Sequence, residues 1–168
     1  MDHPNYQFVA ARLLLFSIRK SLYGKRTDTP HLEEHIIDCV AKEVYDADIY
    51  SKYSKEDIEK ANGYIDHKRD FLFTYAGLRQ VVDKYLVQDR STGKVYETPQ
   101  FMYMMIALTI FSNYPKETRL DYVRRYYNAI SRHRINIPTP IMAGVRTPIR
   151  QFASCVLVDA DDLSLIHI

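Results

Sequence analysis

The chain has 168 residues, 46% of them hydrophobic and 26% charged, which is enough for one domain with a real core and ordinary for a folded globular protein. A formal net charge of +2 calls for neither a nucleic-acid polyanion nor a membrane surface as partner. The longest nearly uncharged apolar run, Phe101 to Phe111, falls short of a membrane span, and the Met-Asp-His-Pro start carries no secretory pattern. Cys39 and Cys155 are too far apart in sequence for a metal-type cluster, which suits a reducing compartment and a cytoplasmic location.

The chain reads as mainly α. Asn5 to Tyr23 is a predicted helix with Phe8, Ala11, Leu15, Ile18 and Leu22 on one stripe and Gly24 as its stop. After the polar linker Lys25 to Asp28, Thr29-Pro30 supplies an N-cap and a first-turn proline. Leu32, Ile36, Val40 and Val44 then mark the apolar edge of a second helix. Ser54 and Asp57 have capping-box spacing for a third helix through about Tyr64, and a fourth runs from Phe71 to Lys84. Tyr85 to Glu97 reads as strand, turn and strand, a short hairpin. Thr98-Pro99 opens a fifth helix, Gln100 to Ser112, apolar on nearly every side and so expected to be covered by the others. A sixth, from Lys116 to Arg132, shows Leu120, Val123, Tyr127 and Ile130 on one face and arginines elsewhere. Beyond Ile135 the prolines at 138, 140 and 148 forbid a continuous helix, and Gln151 to Val158 reads as a buried strand whose sheet is expected outside this chain.

Four clusters invite a chemical reading. His31-Leu-Glu-Glu34-His35 matches the inverted zinc-protease pattern, but Pro30 puts His31 in a first turn and no third ligand is singled out. The expectation is therefore a solvated first turn whose acidic pair complements the helix dipole, and no metal site. Cys39, among Ile36, Ile37 and Val40, reads as an inert core thiol. Arg124-Arg125 and Arg132-His133-Arg134 read as a solvated face rather than a phosphate site. Cys155 follows a stretch rich in hydrogen-bonding groups, namely Thr139, Arg146, Thr147, Arg150, Gln151 and Ser154. The arginines there could favour its reactive thiolate, although a buried core cysteine is the commoner outcome.

The run Asn136-Ile-Pro-Thr139-Pro-Ile-Met-Ala-Gly-Val-Arg146-Thr-Pro-Ile-Arg150-Gln-Phe-Ala-Ser154-Cys155-Val-Leu resembles the large, catalytic subunit of class I ribonucleotide reductase, with the bacterial class Ia enzymes closest. Tyr6-Gln-Phe-Val-Ala-Ala-Arg12-Leu, Lys84-Tyr-Leu-Val-Gln and Phe111-Ser-Asn-Tyr-Pro-Lys-Glu-Thr-Arg119-Leu are similar to the same family in the same order, so the resemblance covers nearly all of residues 4 to 162. It implies a helical N-terminal layer (1–134) leading into the first strand of a ten-stranded α/β barrel (135–162). The implied reaction is reduction of ribonucleoside diphosphates to deoxyribonucleoside diphosphates by a thiyl radical and a redox dithiol. By the same resemblance Cys155 is one member of that dithiol, its partner lying beyond this chain, and Thr139, Ser154 and Cys155 contact substrate. Asp162 falls at the specificity-effector position, and Lys20 at a lysine that completes an ATP site where a regulatory cone precedes it. The implied cofactors are ATP or deoxynucleotide effectors, a thioredoxin- or glutaredoxin-type reductant, and a small subunit carrying a di-metal tyrosyl radical in trans. The implied partners are that small subunit and a second large subunit.

Residues 163 to 168, Leu-Ser-Leu-Ile-His-Ile, depart from the family and match the reading-frame translation of a sequencing-library transposon adapter. They are expected to be a non-native tail on a gene fragment. Two functions follow. The first is a piece of the reductase large subunit, inactive alone because a dithiol needs a second cysteine within reach. The second is a shortened, non-catalytic helical module that binds nucleotide or protein.

Overall fold

The computed structural model describes residues 3–149, 151–153 and 155. Eight α-helices and one 3-10 helix are found among them, with a single two-stranded hairpin. Helix α1 (Tyr6–Tyr23) ends as its sequence requires: Gly24 takes φ 70°, a left-handed conformation open to glycine, and returns its N–H to the carbonyl of Lys20. Its stripe buries Ala11, Leu15 and Ile18.

Helix α2 (Leu32–Ala41) begins two residues later than Thr29-Pro30 suggests. His31 is the N-cap, its Nδ1 accepting from the N–H of Glu33 at 3.3 Å, and the Asn62 side chain accepts from Leu32 N at 3.0 Å. A cap supplied from another helix is invisible to local pattern, and Val44 lies past the helix end. A short α3 (Ile49–Lys52) follows, unforeseen in the sequence. Helix α4 (Lys55–Asn62) carries the full capping box, with Ser54 and Asp57 each bonding the other's backbone N–H.

The fourth predicted helix divides in two. His67–Leu72 is 3-10, and α5 (Tyr75–Lys84) starts at Thr74, whose hydroxyl accepts from Gly77 N. Strands β1 (Gln88–Asp89) and β2 (Lys94–Val95) pair antiparallel, Gln88 opposite Val95 and Asp89 opposite Lys94. The Asp89 carboxylate binds the Ser91 N–H and hydroxyl and the Thr92 hydroxyl. These bonds close the turn and hold its carboxyl down to about 2.

Helix α6 (Pro99–Ile110) is the core of the molecule. Every residue from Pro99 to Leu108 is buried, because the 3-10 helix, α7 (Lys116–Ser131) and α8 (Thr139–Gly144) pack around it. Helix α7 turns Val123, Tyr127 and Ile130 inward and leaves Arg124 and Arg125 in solvent. Helix α8 was not foreseen: Pro138 and Pro140 occupy a helix start, where a missing N–H costs nothing. No described helix is long and apolar enough to cross a membrane.

The expected buried strand is not found in the described part of its segment. Gln151, Phe152, Ala153 and Cys155 are exposed and in no ladder; the remaining positions lie outside the described residues.

Candidate functional site

The resemblance run enters the fold through one buried residue. Arg146, just past α8, is 1% exposed and lies among three separate elements. Its Nε donates to Glu97 Oε2 at 2.9 Å, and its Nη2 donates to the other carboxylate oxygen and, at 2.8 Å, to the carbonyl of Tyr85. Nη1 reaches back to the Met142 carbonyl in α8 at 2.5 Å. Its own backbone carbonyl accepts from Asp46 N at 3.0 Å. The guanidinium fork is thus bidentate to a carboxylate while bridging the hairpin and α8, a geometry a lysine could not copy.

Glu97 is equally enclosed. Besides Arg146 it accepts from the Tyr45 hydroxyl and, at 2.7 Å, from Val87 N, so its two oxygens take four donors. A buried carboxylate needs that compensation. Burial pulls the Arg146 guanidinium toward neutrality, but the Glu97 charge outweighs this and the group stays protonated. Burial and the same carboxylate push the Tyr45 hydroxyl up, keeping it a neutral donor. Tyr45 also meets His35 Nε2 at 3.0 Å. His35 stacks on Phe101 with 4.1 Å between ring centres, and burial drives it down to about 4.

That arrangement corrects the solvated reading of the His31–His35 pair. His31 faces Glu59 at 2.8 Å near the surface, whereas His35 is 2% exposed and points to Tyr45 and Cys39. The two imidazoles do not converge, and no group of three His, Cys, Asp or Glu side chains suited to a metal ion occurs among the described residues. Cys39 is fully buried beside His35, and burial pushes its thiol up, in keeping with an inert core role.

The residues singled out by resemblance are dispersed. Thr139 opens α8 on the surface, its hydroxyl 3.4 Å from that of Tyr85. Cys155 is exposed, against the core reading, and Arg146 is committed to Glu97 rather than available to promote a thiolate. Lys20 is exposed on the last turn of α1. Ser154 and Asp162 lie outside the described residues, as does Arg150. Two open grooves flank α8 and share Tyr85 as a wall. One, of about 550 Å³, includes Gln80, His133, Asn136 and Met142; the other, of about 490 Å³, includes Lys84, Arg90, Gly144 and Gln151. Residue reading alone missed Glu97, Tyr45 and Tyr85. The available signal was a carboxylate set immediately before a helix with no polar face, where burial demands compensating donors.

Comparison with known proteins gives a consistent result. Residues 71–150 match the family model for the ribonucleotide reductase all-alpha domain. The chain is 52% identical over 161 residues to the ribonucleoside-diphosphate reductase subunit alpha of Haemophilus influenzae, covering 96% of this chain and 21% of that protein. It is 48% identical over the same length to ribonucleoside-diphosphate reductase 1 subunit alpha of Escherichia coli, with the same coverage. The subunit alpha of Enterobacteria phage T4 is 47% identical over 162 residues, again 96% of this chain and 21% of the phage protein. The chain therefore spans about a fifth of the length of these relatives.

Proposed function

We propose that this chain, which belongs to the ribonucleotide reductase large-subunit family, supplies the helical layer and one half of the redox dithiol of a ribonucleoside-diphosphate reductase. The observation that carries this reading is the ungapped Pro-Thr-Pro to Ser-Cys run, set in a sequence about half identical to reductase alpha subunits over 96% of its length.

In this reading residues 1–134 are the helical layer and 135–162 begin the barrel, with 163–168 foreign to it. Cys155 gives up hydrogen equivalents beside the substrate 2′ carbon and is oxidised to a disulfide with a second cysteine of the complete subunit, while the 2′ hydroxyl leaves as water. A reductant of thioredoxin or glutaredoxin type returns the disulfide to two thiols. Thr139 and Ser154 hold substrate oxygens. Asp162 belongs to the effector site, and Lys20 to an ATP site where a cone precedes it. The radical comes from a di-metal small subunit in trans, the large subunit acts as a homodimer, and the setting is cytoplasmic.

The chemistry of the described residues fits. Glu97 neutralises Arg146 inside the protein, so that guanidinium is not available to a nucleotide phosphate, and α8, which the two grooves flank, presents Thr139 at the surface. The test is a chimera in which residues 4–162 replace the corresponding stretch of the Haemophilus influenzae alpha subunit. The chimera is expected to reduce ribonucleoside diphosphates with the cognate small subunit, and Cys155→Ala in it to abolish multiple turnover. An inactive but folded chimera, or an active Cys155→Ala chimera, contradicts the proposal. The 168-residue chain alone is expected to give no turnover.

A further inference from the structure

Thr139 is approached from two sides, by α8 itself and by Tyr85. From below, α8 is tied down at its far end. Arg146 donates to the Met142 carbonyl within the helix and to Glu97 beneath it, and its carbonyl is fixed by Asp46 N. Six residues of helix form a rod about 9 Å long, so fixing one end places the other.

From the side comes Tyr85. Its backbone carbonyl is bound by Arg146 Nη2 at 2.8 Å and its N–H bonds Val81 O at 2.9 Å, which sets the origin of its side chain. Its half-buried ring is a wall of both grooves, and its hydroxyl stops 3.4 Å from Thr139 Oγ1. The separation is long for a hydroxyl pair, so Thr139 retains most of its capacity to bond a third group. A threonine in a helix divides between two χ1 rotamers because its hydroxyl can bond carbonyls of the preceding turn. At the first position of α8 there is no preceding turn, and the Tyr85 hydroxyl is a polar neighbour that the Thr139 hydroxyl meets.

We propose that Tyr85, seated by Arg146 and Glu97, is a positioning residue that aims the Thr139 hydroxyl at a nucleotide oxygen. This inference rests on the substrate-contact role of Thr139 given above. It assigns Tyr85 to substrate affinity and not to the dithiol chemistry of Cys155.

The experiment is steady-state kinetics of the complete large subunit carrying this segment, comparing Tyr85→Phe, Thr139→Val, the double variant and Arg146→Lys. Tyr85→Phe keeps the ring and its packing and removes only the hydroxyl. It is expected to raise KM for the diphosphate about three- to ten-fold, the worth of one oriented hydrogen bond, with kcat within about two-fold and an unchanged thermal midpoint. Thr139→Val is expected to raise KM at least as much, and the double variant no more than Thr139→Val alone, because Tyr85 acts through Thr139. Arg146→Lys loses the fork that seats Tyr85 and is expected to raise KM per folded molecule. Additive effects of Tyr85→Phe and Thr139→Val, or a fall in kcat at constant KM, overturn the proposal. A normal KM for Tyr85→Phe with a raised KM for Thr139→Val defeats the positioning role alone. Normal KM for both defeats the role of Thr139 as well, and turnover by Cys155→Ala in the same subunit defeats the functional reading itself.

Discussion

Arg19 and Asp70, 51 residues apart in sequence, meet at 2.9 Å with their side chains almost wholly out of water. Gln100 donates to the other Asp70 oxygen at 2.9 Å and accepts from the Tyr127 hydroxyl at 2.7 Å, so α1, the 3-10 helix, α6 and α7 share one polar network. Arg119 with Asp57 and Arg146 with Glu97 repeat the pattern, a buried guanidinium answered by one carboxylate from a distant element. Such pairs add little net stability over apolar packing but are costly to break singly. Asp70→Ala, which strands Arg19 and Gln100, is expected to cost about 3–5 kcal/mol in urea unfolding, and Lys25→Ala at an exposed pair less than about 1 kcal/mol. Equal small losses would contradict this ranking.

Stability is expected to fall as pH drops below 6.5. The unfolded chain protonates His35 and His67 near 6.5, whereas burial holds both down to about 4 in the fold. Between those values the unfolded state carries up to two more protons and is favoured as pH falls. Asp70 acts in the opposite sense: burial raises its carboxyl from 3.8 to about 6, so the fold takes up that proton first. Two imidazoles outweigh one carboxyl, and burial lowers His133 in the same sense, so the net effect is a loss of stability on acidification. Urea midpoints measured from pH 7.5 to 4.5 check it, and a flat or rising profile on acidification would contradict it.

Phe101 is a fully buried ring of the core, stacked on His35 and met edge-on by Tyr23 and His67. Phe101→Ala is expected to cost about 3–5 kcal/mol, the usual result of emptying a rigid aromatic site. Leu13→Ala, at a position 65% exposed, is expected to change stability by less than about 0.5 kcal/mol. Paired denaturation curves decide the comparison.

Much of this was legible in the sequence, and what was hidden follows one rule. The α1 stripe and its Gly24 stop, the Ser54–Asp57 capping box and the all-round apolar α6 are local patterns, and each is found where it was expected. Hidden were the features whose partners are remote: the Asn62 cap on α2, the burial of His35 against Phe101 and Tyr45, and the inward turn of Arg19, Arg119 and Arg146. Arg119 sits on the helix whose arginines read as solvated, and only the Tyr53 ring 4.2 Å away and Asp57 explain its burial. At the candidate site, Thr139 and Cys155 were named by motif, while Tyr85 and Glu97 emerge only once the hairpin, α8 and the loop before α3 are brought together.

The two thiols are expected to differ in reactivity. Cys155 is exposed, and Cys39 is enclosed and pushed toward the neutral thiol by burial. A thiol reagent at pH 8 is expected to label Cys155 first and Cys39 only on unfolding. Simultaneous labelling in the folded protein would contradict the placement of Cys39 in the core.

The most direct test of the account is the redox state of Cys155 after one catalytic event. The complete subunit carrying this segment is pre-reduced, freed of reductant, mixed with its small subunit, effector and a ribonucleoside diphosphate, and then alkylated for peptide mass spectrometry. The account predicts that Cys155 becomes protected in a disulfide in proportion to the deoxynucleotide formed, and that it stays alkylatable when substrate is withheld. Deoxynucleotide formation with Cys155 still fully alkylatable would contradict it.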